Sequence, residues 1–233
     1  MRKILMVLIL LGLVAIALPM TAAALGLDVE AKAGAGIGLG TTDNSDITGA
    51  ARLAANGGVN IDLYLLSLGT ADLGISVGTE YSYLTFHSVE SNLPAPFPPI
   101  PGLEQTVDST YRYLDFPISV VCKVPVNEAV RLTFRAGAFL GYFLGGSADL
   151  SYNSVLVPSQ TSTLDSSNTI RSEYGLHFTA GADIALGGGL SLAPALQFDM
   201  GLTDTSVNSV QPVASKDTFW SLTAVVGIKY KVL

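Results

Sequence analysis

The sequence predicts an all-β chain: an eight-stranded antiparallel up-and-down transmembrane β-barrel over residues 25–233, preceded by a cleaved signal peptide over 1–24. Three observations carry that reading. Apolar and polar residues alternate with a period of two through eight long segments, the apolar faces of those segments hold no Asp, Glu, Lys or Arg, and the gaps between them run long and short in turn. Composition narrows the classes before any motif is read. Of 233 residues, 49% are hydrophobic and only 13% charged, against roughly a quarter in ordinary soluble domains, and the mean hydropathy is +0.47. That is too apolar for a disordered chain. With 12 Lys+Arg against 19 Asp+Glu, it also lacks the basic surface a nucleic-acid partner requires. The single Cys122 excludes a disulfide scaffold and a cysteine-ligated metal site, and no cofactor is expected.

The first segment is an address. Arg2 and Lys3 precede an apolar run from Ile4 to Leu18, and Ala22-Ala23-Ala24 supplies the small residues that signal peptidase reads. The run is short of the roughly 20 apolar residues a spanning helix needs. Cleavage after Ala24 would remove two bases and take the formal charge from −7 to −9, leaving an acidic, exported chain.

The strands follow in order. In Leu27 to Leu39, Leu27, Val29, Ala31, Ala33, Ala35, Ile37 and Leu39 share one face, with Asp28, Glu30, Lys32 and three glycines on the other. Ala51 to Leu65 sets Leu53, Val59, Ile61 and Leu63 against Arg52, Asn56, Asn60 and Asp62, and Leu73 to Phe86 repeats the pattern. Leu114, Phe116, Ile118, Val120 and Cys122 oppose Asp115, Ser119 and Lys123; Leu132 through Tyr142 oppose Arg131, Thr133, Arg135 and glycines. Leu176 to Leu186 is set against His177, Thr179 and Asp183, and Leu190 to Met200 against Ser191, Gln197 and Asp199. The last runs from Trp220 to Val232, with Ser221, Thr223, Lys229 and Lys231 on its polar face.

These segments exceed the five or six residues of a typical globular strand and match the 9 to 11 of a tilted transmembrane strand. Alternation alone fits a soluble sandwich equally well, so the connections decide. Those at 40–50, 87–113, 145–173 and 203–217 are long, and those at 66–72, 124–130 and 187–189 are short. Long external loops and short periplasmic turns are the rule for bacterial outer-membrane barrels. The long gaps also carry loop chemistry, with Pro94, Pro96, Pro98, Pro99 and Pro101 in the second and Ser, Thr, Asn and Asp in the third and fourth.

The stretch Tyr113-Leu114-Asp115-Phe116-Pro117-Ile118, followed by Arg131-Leu132 and Arg135 through Gly146, resembles the central strand pair of the outer membrane protein β-barrel domain family, PorT-like and akin to OmpX/OmpA-type small barrels. Phe198 to Thr203 and Val225 to Lys231 resemble its last two strands. The resemblance implies a bacterial outer-membrane location and contact with outer-membrane lipid. It also implies passage through the outer-membrane assembly machinery. Barrels of this kind commonly end in a lipid-facing aromatic residue; here Leu233 is last and Tyr230 lies three positions earlier, so either Tyr230 serves or the signal is a variant.

An eight-stranded barrel is narrow enough to be filled by side chains, so its inward charges are expected to pair. Seven inward acids (Asp28, Glu30, Asp62, Glu80, Asp115, Asp183, Asp199) face seven inward bases (Lys32, Arg52, Lys123, Arg131, Arg135, Lys229, Lys231). The expected network is Lys32, Arg52, Glu80, Asp115, Arg135 and Asp199, centred on Arg135 with Glu80 or Asp115 as partner. Asp28 and Glu30, with Lys32 beside them, read as a solvated rim. Tyr81, Tyr83, Tyr142, Tyr174 and Trp220 are expected to form the outer aromatic girdle, with Tyr230 near the inner one. The only histidines are His87, at an outer strand end, and His177, facing inward. The functional expectation is a structural or surface-recognition protein acting through its external loops on an unidentified ligand, and not an enzyme. The alternatives are a small porin-like channel and a lipid-modifying enzyme using a rim His.

Overall fold

The structure is a computed structural model that describes residues 26–42, 47–91, 103–154, 157–164, 172–203 and 217–233. The expected signal segment and the five prolines of the expected second loop lie outside the described residues. The described residues form ten strands: β1 (Gly26–Thr42), β2 (Ile47–Ala50), β3 (Arg52–Leu68), β4 (Ala71–Ser91), β5 (Glu104–Pro125), β6 (Val130–Tyr152), β7 (Gln160–Leu164), β8 (Ser172–Gly187), β9 (Leu190–Gly201) and β10 (Asp217–Lys231). Eight of them close a ring in the order β1-β3-β4-β5-β6-β8-β9-β10, each antiparallel to its neighbours, and β10 pairs back onto β1 from Asp28–Lys231 to Thr42–Asp217.

The stagger of the ring follows from the pairing. A path of paired residues leaves Asp28 through Asp62, Ser76, Ser119, Gly137, His177, Asp199 and Ser221, and re-enters β1 at Gly38, ten residues further along. A shift of ten residues over eight strands corresponds to a strand tilt of about 40° and a backbone cylinder of roughly 8 Å radius, given the usual rise and strand spacing. Outward residues such as Val77, Ile118, Val120, Phe134, Leu140, Phe178, Leu196 and Val226 are 42–62% exposed, although all are apolar. This inversion of a soluble surface is the outside of a barrel that meets hydrocarbon.

Three connections at one end are tight: residues 69–70, 126–129 and 188–189. Gly187, Gly188 and Gly189 have φ of 98°, 60° and 82°, a left-handed run that side chains with a Cβ resist. The other end is different from the loop-rich one expected. β4, β5 and β6 continue as sheet well past the expected ends, β2 adds to the edge of β4 and β7 to the edge of β6. Much of what read as external loop is therefore an extended five-stranded sheet, β2-β4-β5-β6-β7. A bulge where Arg112–Gly145 gives way to Tyr113–Phe143 lets β6 resume its alternation in this upper part.

Candidate functional site

The inward residues form two layers of opposite chemistry. The lower layer, towards the tight turns, is ionic. Arg135 on β6 is 5% exposed and forks onto Asp62 of β3, with Nε donating to Oδ1 at 3.1 Å and Nη2 to Oδ2 at 2.7 Å; Nη2 also donates to Glu30 of β1. Lys229 of β10 donates to both oxygens of Asp183 (2.8 and 3.0 Å) and lies 3.5 Å from Asp62 and 3.9 Å from Glu30. Lys123 of β5 donates to Asp28, lies 3.5 Å from Asp183 and sits 4.4 Å over the Tyr64 ring. Each of these charges reaches across the lumen to a strand far away in sequence, as a narrow cylinder permits.

A polar relay stands above it. Lys32 pairs with Glu80 at 2.5 Å and donates to Gln197 at 2.8 Å; Gln197 Nε2 donates to Glu80 (2.9 Å) and to Asp199 (2.7 Å). Asp199 Oδ1 is 2.6 Å from His177 Nδ1, and His177 Nε2 is 3.2 Å from Thr179 Oγ1. His177 is 2% exposed, enclosed in the lumen away from either rim.

The upper layer is aromatic. Phe86, Tyr111, Tyr113, Phe143 and Phe219 pack with Ala148, Leu150 and Leu164 into a buried cluster. Phe86 and Phe219 stack at 4.1 Å, Tyr111 lies 5.2 Å from Phe219, and Tyr113 meets Phe143 edge-on at 5.5 Å. The lumen is thus capped on the outer side by rings and filled below by ion pairs.

Several expectations are corrected. Arg135 pairs with Asp62 and Glu30, and neither Glu80 nor Asp115 is its partner, because the ten-residue stagger brings β1 and β3 opposite it. Arg52 is no part of the lumen: it stands at the outer end of β3, its side chain 48% exposed and 3.7 Å from Asp108. Asp115 accepts a hydrogen bond from Ser82 and has no basic partner among the described residues. Asp28, Glu30 and Lys32 are buried in the lumen and do not form a solvated rim. Arg131 and Lys231 are exposed at the inner mouth, so the expected balance of seven against seven fails: among the described residues eight lumen acids, with Glu173 added, face four lumen bases.

The aromatic cap lies outside every expectation, because it occupies faces that are polar lower down the strands. Its signal lies in adjacent apolar residues that fall on both faces, as in Phe139-Leu140, Tyr142-Phe143-Leu144 and Phe219-Trp220. Of the expected girdle, Tyr81, Tyr142 and Tyr174 point outward and are 44–54% exposed, as does Tyr230 at 50% towards the other end. Tyr81 and Tyr142 flank Leu114 on adjacent strands. Tyr83 and Trp220 are more covered. His87, at the outer rim, is 2.7 Å from Asp108.

A closed ring of eight antiparallel strands with an apolar exterior and an ionic interior defines a small transmembrane β-barrel. The chain belongs to the outer membrane protein beta-barrel domain family, whose description matches residues 22–207, and its place is the bacterial outer membrane. Similar solved structures include Ail of Yersinia pestis (14% identity, covering 88% of this chain and 99% of that one, TM-score 0.39) and neisserial surface protein A (12%, 88% and 97%, 0.39). The outer membrane protease OmpT of Escherichia coli is similar at 11% identity, covering 88% and 96%, with a TM-score of 0.44. No curated protein matches the chain.

Proposed function

We propose that this outer-membrane barrel is a closed, non-catalytic scaffold that holds the β2-β4-β5-β6-β7 sheet above the membrane as a structural or recognition surface. The carrying observation is the filling of the lumen: cross-lumen ion pairs at 1–7% exposure lie below and stacked rings lie above. Between them the interior leaves a chamber of only about 30 Å³, enough for one or two waters. A conducting pore needs a continuous wet path, and this filling of the lumen by described residues supports the closed reading.

The partners that fit are outer-membrane lipid around the apolar band, the assembly machinery during biogenesis, and a ligand of the external sheet. That sheet is rich in Ser and Thr and carries His87 and Asp108, with Arg52 at the outer end of β3 beside them. Purified protein in planar bilayers tests the reading. The expected record has no resolved conductance steps, alongside a heat-shifted electrophoretic mobility that reports a closed barrel. Reproducible steps from heat-shiftable protein would favour the channel instead. Lipid hydrolysis or acyl transfer abolished by His177→Ala in a correctly folded barrel would favour the enzyme.

A further inference from the structure

The chamber between the polar relay and the aromatic cap is lined by three carboxylates, Asp115 of β5, Glu173 of β8 and Asp199 of β9, with Tyr113 and Phe219 above them and Phe139 also in its wall. Below it every lumen acid has a base within ion-pair distance: Asp28, Glu30, Asp62, Glu80 and Asp183 are matched to Lys32, Lys123, Arg135 and Lys229. The chamber carboxylates have no Lys or Arg within that distance among the described residues. Asp199 is satisfied by His177 and Gln197. Asp115 is not: Ser82 donates to Oδ2, while Oδ1 is buried without a hydrogen-bond partner. Glu173, 4% exposed, faces the chamber with no hydrogen-bond or ion-pair partner among the described residues.

Two glycines make room for these oxygens. Gly141 pairs with Asp115 on one side and Glu173 on the other, and a Cβ on it would come 2.5 Å from Asp115 Oδ1. A Cβ on Gly201 would come 2.1 Å from Glu173 Oε1. The sheet is bare beside each of these two carboxylates, which line the same chamber. An unpaired buried charge costs several kcal/mol, so in their ionised form these carboxylates call for a counter-ion. Both free groups are hard oxygen donors, and Ca²⁺ and Mg²⁺ are held by such carboxylates with water filling the remaining positions.

We propose that the chamber binds one hard divalent cation, of the Ca²⁺/Mg²⁺ class, through the oxygens of Asp115 and Glu173, with the water the chamber still admits as a further ligand and Asp199 adding negative charge from beyond it. Two direct carboxylates suffice, and among the described residues no three His, Cys, Asp or Glu groups converge as a complete protein-only cage. The site lies beneath the cap and is independent of the surface role proposed above.

Tyr113 beside the chamber supplies the readout, because a bound lanthanide emits when an adjacent phenol is excited. Folded barrel in detergent, stripped with chelator and titrated with Tb³⁺, should give saturable tyrosine-sensitised emission that Ca²⁺ competes away. Glu173→Gln and Asp115→Asn should each weaken Tb³⁺ binding at least about tenfold, while retaining the heat-shifted mobility of the closed barrel. Asp108→Asn, on the outside, should leave it unchanged. Emission that never saturates, that persists in both lumen variants, or that is lost with Asp108→Asn would overturn the site. So would an infrared carbonyl band of a protonated carboxyl that persists in excess Ca²⁺ and disappears in Glu173→Gln, since protons would then be the counter-charge.

Discussion

Replacing Arg135 with Met is the most informative perturbation of the lumen. Among the described residues Arg135 is the sole guanidinium in the ionic layer, 5% exposed, and its partners Asp62 and Glu30 are 1% and 2% exposed. Without it those carboxylates share Lys229, which is 3.5 and 3.9 Å away and already held at 2.8 Å by Asp183. Breaking a buried pair from one side typically costs about 3–5 kcal/mol, and that is the expected loss for Arg135→Met. Asp62→Asn leaves Arg135 on Glu30 and should cost less, about 1–3 kcal/mol. In the double variant Glu30 faces Lys229 alone, so the combined loss should fall short of the sum by more than about 1 kcal/mol. Urea unfolding in micelles, followed by the heat-shifted band and by tryptophan emission, measures all three. Additive losses would refute the pairing. The Glu80→Gln and Arg135→Met cycle supplies the contrast: Glu80 is bonded to Lys32 and Gln197, so its losses should add to within about 0.5 kcal/mol.

Ile118→Arg places a charge on the lipid face, where Ile118 is 45% exposed, and should destabilise the barrel by about 2–4 kcal/mol in the same unfolding assay; spin labels at Ile118 and Ser119 should report lipid and lumen, and equal water accessibility would refute the alternation. Phe219→Ala removes the ring stacked on Phe86 and should cost about 3–5 kcal/mol without opening a conductance, because the ionic layer stays closed below it. Gly188→Val puts a β-branched residue at φ 60°; a loss of about 1–2 kcal/mol is expected, and an unchanged urea midpoint would show that the turn relaxes freely.

The exterior was readable residue by residue because hydrocarbon forbids charge, so Val77, Ile118, Phe134 and Leu222 had to fall on faces free of Asp, Glu, Lys and Arg. The direction of the chain was readable because only one end has turns as short as Gly188-Gly189. Lumen pairing was not, since Arg135 and Asp62 are 73 positions apart and meet only once the stagger is set. Counting heights along separate strands put Glu80 opposite Arg135, whereas the accumulated shift puts Asp62 and Glu30 there. The cap stayed hidden for a different reason: Phe86, Tyr111 and Phe219 lie on faces that carry polar residues lower down, and period two alone does not report a change of chemistry with height. Arg52 was misplaced because its inward-reading position falls beyond the upper limit of the lumen.

The seam between β1 and β10 joins the earliest described strand to the last, and this sets the order in which the molecule can be built. Until Lys231 lies against Asp28, the growing sheet has two bare edges, and each peptide group left unpaired in hydrocarbon costs several kcal/mol. No fraction of the barrel is therefore a tolerable resting state within the bilayer. The closing contact spans nearly the whole chain, the most entropically demanding kind of loop. Insertion is bound to proceed as one late, concerted event, and an edit that shortens β10 should appear first as slow arrival in the membrane, ahead of any weakness in the finished barrel.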